Sequence, residues 1–238
     1  MFKRVLIHEL KNISRDKMYI FFVIFSFVMA IVAFFLIPYL RDQNNEMVAN
    51  LFTVFFIMMN SFLYGAVTGF TLLDDQDDKV LFSLKITPIH VKDYVLIKLA
   101  ISYIFGLITT SLIIITSGMI ATSNLIDLLY IIILSPMQGP ILALLINSFA
   151  TNKVEGFVYM KLSGLILMAP IAALFIFNWT ELLLGFLPGF WSVRIVTMQL
   201  LPNAFFIDST FIYFILGFIV NGLIALLFFK LYTKRVNI

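Results

Sequence analysis

Four aspartates cluster in one short polar stretch, and apolar side chains follow them directly. The stretch contains Asp74, Asp75, Asp77, Asp78 and Lys79, and then Val80, Leu81, Phe82 and Leu84 before Thr87 and Pro88. A solvated acidic loop would explain the aspartates but not the apolar side chains in the aqueous phase. Exposed apolar groups rimmed by charge usually mark a surface for a partner. The pattern predicts a short helix with an apolar face for a partner, and this helix ends because a residue before proline disfavours helical geometry.

The sequence has few residues that could form a catalytic, metal or nucleotide-binding site. The absence of cysteine excludes disulfides, thiolate nucleophiles and cysteine metal sites. His8 and His90 lie in different polar segments, without the spacing of metal ligands, so no metal site is expected. The sequence has no GxxxxGK[ST] phosphate loop, and the serines and threonines of its apolar stretches have no base beside them. The chain is therefore predicted not to be an enzyme and to bind no cofactor itself.

Hydropathy places these residues between membrane spans. The chain is 62% hydrophobic and only 12% charged, and it contains six windows of 19 to 28 residues without Asp, Glu, Lys or Arg. About 20 apolar helical residues cross a bilayer. We predict an all-α membrane protein with one transmembrane domain and no room for a soluble catalytic domain. Its six spans are predicted at about residues 18–40, 47–73, 94–121, 126–150, 162–180 and 209–229.

The basic residues predict the orientation of these spans. If the N-terminus is cytoplasmic, 14 of the 16 Lys and Arg residues fall in cytoplasmic segments, and only Arg41 and Arg194 fall on the other side. Cytoplasmic loops of membrane proteins carry such an excess of Lys and Arg. Both termini are therefore predicted to be cytoplasmic. Residues 2–17 alternate apolar and basic positions at helical spacing, which favours an amphipathic helix in the inner interface over a plain basic flank.

Small and polar residues line two of the spans. Ser61, Gly65 and Gly69 recur at steps of four, which lets another helix approach closely. A neighbouring polar stripe and a proline-interrupted segment add Asn60, Tyr64, Thr68, Pro136, Gln138 and Pro140. Polar groups and broken helices at membrane depth face protein or a water-filled path. These residues are candidates for a substrate path or a dimer interface, and ordinary packing within one subunit is the alternative.

The segment 181–208 has two apolar runs that are too short to span a membrane, separated by Arg194 and interrupted by Pro188. A surface loop would expose Phe190 and Trp191 to water. The pattern favours two helices that dip into the outer leaflet and return, with Pro188, Phe190, Trp191 and Arg194 as a candidate external gate.

The layout resembles the permease subunits of ABC-2 type ATP-binding-cassette exporters. The resemblance is carried by the acidic cluster, the apolar helix, the Thr87-Pro88 break, and Tyr94 and Lys98 entering the third span. The segment 2–17 is similar to the connecting helix of that family, and the segment around Pro188 is similar to its external re-entrant helices. The family often has glutamate where this chain has its four aspartates.

The resemblance implies a function. Permeases of this family work as dimers, each with a cytoplasmic ATPase subunit that binds ATP and Mg and seats the coupling helix in a groove. The resemblance implies that residues 77–86 form this docking helix here. This chain would be the permease of a bacterial cell-membrane exporter for an amphipathic or hydrophobic substrate, such as a drug, an amphipathic peptide or a lipid-like molecule. Its partners would be the ATPase, a second permease copy or a paralogue, and the bilayer, with no nucleic acid. The alternative is an ion-coupled transporter or channel, which usually needs membrane-embedded Asp, Glu or His.

Overall fold

Helices build the whole of the described chain, which comprises residues 2–84, 86 and 90–236 of a computed structural model. Within these residues there is no β-strand. The α-helices are α1 Phe2–Ile13, α2 Lys17–Asp42, α3 Glu46–Asp77, α4 Val80–Leu84, α5 Val91–Thr116, α6 Met119–Thr122, α7 Leu125–Leu134, α8 Gln138–Phe149, α9 Lys153–Met168, α10 Phe190–Leu200 and α11 Thr210–Arg235. Short 3₁₀ helices cover Ser135–Met137, Ala169–Leu174 and Trp179–Phe186.

Six stretches of the described chain are long and apolar enough to cross a membrane. They are α2, α3, α5, the α7–α8 pair, α9 with its 3₁₀ extension, and α11. The predicted fold class, an all-α membrane protein with six spans, is confirmed. The outward faces of α2, α9 and α11 are apolar and exposed, as at Phe35, Leu165 and Leu223 (62–73% exposed). Such faces are stable against lipid chains and not against water.

Several span boundaries differ from the sequence prediction, and local capping explains two of them. The third span ends at Thr116 instead of residue 121, because Gly118 takes the left-handed conformation (φ +79°) that terminates helices. The fifth span begins at Lys153 instead of residue 162. There the Asn152 side chain accepts from the Glu155 amide, and the Glu155 carboxylate accepts in turn from the amide of Thr151 at 2.7 Å. These two caps start the helix among polar residues that hydropathy alone assigns to a loop.

The bundle closes around the crossing of α3 and α8. A Cβ atom on Gly65 would lie 2.5 Å from the carbonyl oxygen of Gly139, so only glycine permits this approach. The fourth span is interrupted beside this crossing by the 3₁₀ turn Ser135–Met137. The Tyr103 hydroxyl donates to the Ile133 carbonyl at 2.9 Å, which stabilises the interrupted helix. The predicted interruption of this span therefore lies at a packed helix crossing.

The segment between the fifth and sixth spans folds into the protein. Its 3₁₀ helix Trp179–Phe186 leads to α10, whose residues Phe190–Thr197 are all buried against α3, α7, α11 and Ala169–Leu174. Helix α10 begins directly after Gly189, where a Cβ atom would lie 2.8 Å from the side-chain oxygen of Gln138, midway along the fourth span. A helix that is too short to cross the bilayer thus reaches its middle and fills the interior of one half of the bundle.

Candidate functional site

The acidic cluster lies at the end of the longest helix. Helix α3 has 32 residues, about 48 Å at 1.5 Å per residue, and so extends well past a ~30 Å hydrocarbon core. It continues to Asp77, and Lys79 then takes a left-handed conformation (φ +58°) that starts the separate five-residue helix α4. The docking helix predicted over residues 77–86 is therefore corrected to Val80–Leu84, because the turn at Lys79 breaks it.

The two faces of α4 have different surroundings. Leu81 is buried (2% exposed) in a cluster with Leu72 of α3 and Tyr232 of α11. Phe82 is 63% exposed, and Ile86 beyond the helix is 90% exposed. Leu81, one of the predicted docking residues, therefore anchors α4 to its own bundle.

The remaining predicted docking residues divide by exposure. Asp77, Asp78 and Lys79 are exposed, whereas Val80 and Leu84 are half-buried. Thr87 and Pro88 lie outside the described residues. The exposed surface of this segment therefore includes Asp77, Asp78, Phe82 and Ile86, and we call these four residues the α4 tip.

Two of the aspartates form ion pairs with other helices of the same chain. Asp75 forms an ion pair with Lys98 of α5 and accepts a hydrogen bond from the Tyr94 hydroxyl at 3.0 Å. The Lys98 ammonium also lies 3.8 Å from the carboxylate of Glu9 on α1. Asp74 pairs with Lys153 of α9 at 2.6 Å. The acidic cluster thus ties the end of α3 to α1, α5 and α9.

A polar cavity of about 160 Å³ opens beside these ion pairs. It lies between α1, α2, α3 and α5, and its wall includes Glu9, Asp16, Asp75, Lys98 and Thr71. Within the described part of the chain, no group of three or more His, Asp or Glu side chains could hold a metal ion. The cavity is large enough for a few water molecules, and its carboxylates are held by the lysine and by helix capping.

Asn147 of α8 joins three helix ends near the same level. Its side-chain amide donates to the Gly69 carbonyl at 2.8 Å, and its side-chain oxygen accepts from Gln76 at 2.8 Å. Its backbone carbonyl accepts from Arg235 of α11 at 2.7 Å. The end of α3 is therefore fixed to both α8 and α11, so that a displacement of α4 and the end of α3 would be transmitted to two spans.

The candidates for a substrate path or dimer interface lie in the interior of this single chain. Asn60, Ser61, Tyr64, Thr68 and Gln138 are 0% exposed. Gly65, Gly69 and Pro136 are also buried, and Pro140 is half-buried. The placement agrees with the alternative of packing within one subunit, because a second copy cannot reach these side chains without a rearrangement of the bundle.

Hydrogen bonds join part of this set. Ser61 lies 3.4 Å from Ser135, and Gln138 donates to Ser192 of α10 at 3.3 Å. Among the described residues, the side-chain oxygens of Gln138 and Asn60 have no hydrogen-bond partner. A column of buried polar groups thus connects α3, the interrupted fourth span and α10.

The candidate gate residues form the centre of the segment after the fifth span. Arg194 and Glu181 are both 0% exposed, and their side chains form an ion pair at 2.6 Å. The Tyr213 hydroxyl of α11 donates to the same carboxylate, and Arg194 donates to the Ile176 carbonyl at 2.7 Å. Burial lowers the pKa of the Arg194 guanidinium, and the charge of Glu181 opposes that effect.

The aromatic candidates pack around this pair. Phe190 is 0% exposed, its ring lies 5.8 Å from the Arg194 guanidinium, and the Trp191 indole donates to the Gly185 carbonyl at 2.9 Å. Pro188 is buried where the chain turns into α10. The four candidate gate residues therefore lie together inside the protein.

Sequence reasoning missed several of the residues in these clusters. They are Glu9, Asn147, Glu181, Tyr213, Arg235 and Asp127, the last of which accepts from Gln199 and Thr210 at 2.9 and 2.6 Å. The sequence carried one signal for the ion pairs of Lys98 with Asp75 and Glu9, because Tyr94 and Lys98 are four residues apart on one helical face of α5. The other pairings join distant parts of the chain and leave no local pattern.

Comparison with known proteins gives the family. No solved structure matches the chain. Two curated relatives from Mycobacterium tuberculosis, strains CDC 1551 and H37Rv, are both named fluoroquinolones export permease protein and are 25% identical over 146 residues. The aligned part covers 60% of this chain and 57% of each relative, so it spans well under two thirds of their length. The family described as "Fluoroquinolones export permease protein Rv2686c-like" matches residues 9–229. The chain belongs to this family.

Proposed function

We propose that this chain is the membrane-spanning permease of an ATP-driven exporter and that a separate ATPase subunit docks on the α4 tip. The chain supplies the path, and the partner subunit binds ATP and Mg and hydrolyses the nucleotide. A second permease copy or a paralogue completes the assembly. The relatives named for fluoroquinolone export support an aromatic, amphipathic drug of that class as substrate.

The observation that carries this proposal is the α4 tip. Phe82 and Ile86 are 63% and 90% exposed, beside the exposed Asp77 and Asp78, at the end that the basic residues assign to the cytoplasm. An apolar pair with a charged rim has the character of an interface centre. Leu81 fixes the helix to the bundle, so that a force on the tip acts on α3 and α5.

The docking test compares two exposed apolar residues on the side of the protein that is predicted to be cytoplasmic. Phe82→Asp places a charge on the α4 tip, whereas Val154→Asp places one on α9, where Val154 is 75% exposed. With a co-expressed ATP-binding-cassette subunit, we expect Phe82→Asp to abolish co-purification and drug-stimulated ATP hydrolysis. Val154→Asp should retain both. Equal co-purification of the two variants would contradict docking at α4.

A second measurement separates the proposal from an ion-coupled transporter. Efflux of a fluorescent fluoroquinolone from proteoliposomes should require ATP and the ATPase subunit. It should persist when ionophores collapse the proton and sodium gradients. Efflux by the permease alone, driven by either gradient, would overturn the proposal.

A further inference from the structure

An apolar cavity of about 300 Å³ lies between α8, α9 and α11. Helices α9 and α11 both pack on α8 and barely touch each other, so α8 forms the floor of a gap between them. The walls include Ile141 and Leu145 of α8, Ile166 of α9, and Ile224 and Leu227 of α11. The one polar residue of the wall, Ser163, donates its hydroxyl to the Met160 carbonyl at 2.9 Å. An occupant therefore meets apolar surface alone.

The depth of the cavity follows from helix lengths. Ile224–Phe228 precede the end of α11 at Arg235 by 7 to 11 residues, which is about 10–17 Å along the axis. Ser163 and Ile166 follow the start of α9 by 10 to 13 residues, or about 15–20 Å. The cavity thus extends from the half of the membrane near both termini to its middle. Phe186, Leu187 and Pro188 close it there.

Positive charge lies below the cavity on the same helix face. Lys230 follows the wall residue Leu227 by one turn, and Lys234 follows Lys230 by another. Both lysines are exposed, and none of the ion pairs found in the described residues involves them. Helix α9 of the cavity wall contributes one acidic residue near this rim, Glu155, and its carboxylate accepts hydrogen bonds from Thr151. The rim of the cavity is therefore cationic.

We propose that this cavity binds one acyl chain of an anionic phospholipid from the leaflet near both termini, with the headgroup phosphate on Lys230 and Lys234. The apolar wall suits the chain, and the distance from the lysines to the roof suits a molecule with its charge at one end. Two lysines near the surface correspond to a roughly 10- to 30-fold preference for anionic over neutral lipid.

The test uses phospholipids that carry a photoactivatable diazirine in one acyl chain. The purified chain is placed in nanodiscs of phosphatidylcholine with a trace of photoactivatable phosphatidylglycerol or photoactivatable phosphatidylcholine, and the labelled residues are mapped by mass spectrometry. We expect labelling of α8, α9 and α11 at the cavity wall. Phosphatidylglycerol should label these residues about 10- to 30-fold more than phosphatidylcholine.

Two kinds of variant test the two parts of the site. Lys230→Gln with Lys234→Gln changes exposed residues only and should bring the two lipids to equal labelling. Ile224→Trp fills the cavity and should reduce labelling by both lipids. Its neighbour Leu223→Trp, at a position 62% exposed and outside the wall, is the matched control and should label like the wild type.

Three results would overturn the proposal. The first is equal labelling by the two lipids in the wild type, which would mean that bulk lipid occupies the gap without selection for its headgroup. The second is displacement of the label by a fluoroquinolone, which would assign the cavity to the exported drug. The third is a disulfide between two copies of a Ser163→Cys variant together with no lipid labelling, which would assign the gap to a second copy. The natural chain has no cysteine, so the introduced thiol is free of background.

Discussion

The buried ion pair between Arg194 and Glu181 gives the sharpest test of the fold. Both side chains are 0% exposed and 2.6 Å apart. Glu181→Leu would leave the guanidinium buried without its counter-charge, which typically costs about 3–5 kcal/mol. For a chain of this size, each kcal/mol corresponds to roughly 2–4 °C of Tm, so we expect Tm to fall by roughly 6–20 °C.

Replacing the whole polar cluster should cost much less. The triple variant Glu181→Leu, Arg194→Met, Tyr213→Phe removes both charges and also the hydroxyl that donates to Glu181. Apolar replacement of a buried ion pair is often neutral or stabilising by about 1–4 kcal/mol. The triple variant should therefore recover most of the stability that Glu181→Leu loses.

The assay is thermal unfolding of the purified chain in mild detergent, followed by size-exclusion chromatography of the soluble fraction. A matched control is the pair of Asp74 and Lys153, which is also 2.6 Å apart but has 39% and 55% exposed side chains. Asp74→Ala should cost only about 0–1 kcal/mol. If Glu181→Leu unfolds at the same temperature as Asp74→Ala, burial does not set the cost of breaking this pair and the reasoning fails.

Three further predictions concern the α3 contacts. Gly65→Ala should destabilise the fold by about 1–3 kcal/mol in chemical unfolding, because its Cβ would lie 2.5 Å from the Gly139 carbonyl oxygen. At Gly222 a Cβ would meet no atom within 4 Å, so Gly222→Ala should show no loss of stability in the same assay. Asn147→Leu should cost about 1–3 kcal/mol, since it leaves its buried amide partners unpaired, and equal proteolysis rates of variant and wild type would contradict this. Lys98→Met should lower Tm and increase hydrogen exchange at the start of α5, because two carboxylates lose their counter-charge.

The spans were predictable because a single local property defines them. Windows without charge located all six, and the length of α3 and the apolar outward faces of α2 and α11 agree with that reading. The start of α9 was not predictable from hydropathy. It depends on the caps at Asn152 and Glu155, which begin the helix among charged residues.

The sequence predicted which segment forms the candidate site but not how the side chains of that segment are arranged. The sequence located the acidic cluster and the apolar residues of α4, whereas it assigned Leu81 to the partner and not to the bundle. Which apolar side chain faces inward depends on the turn at Lys79, whose left-handed conformation has no sequence signature. The contact of Asp75 with Lys98 depends on how α3 packs on α5, and spacing along the chain does not encode this packing.

The burial of α10 has a consequence for biogenesis. Its eleven residues are too few to be recognised as a span during insertion, and Arg194 opposes entry into lipid from the side. The space that it fills exists only when α3, α7 and α11 are in place, and α11 is synthesised after it. The contacts that bury α10 can therefore be completed only after α11 has been synthesised.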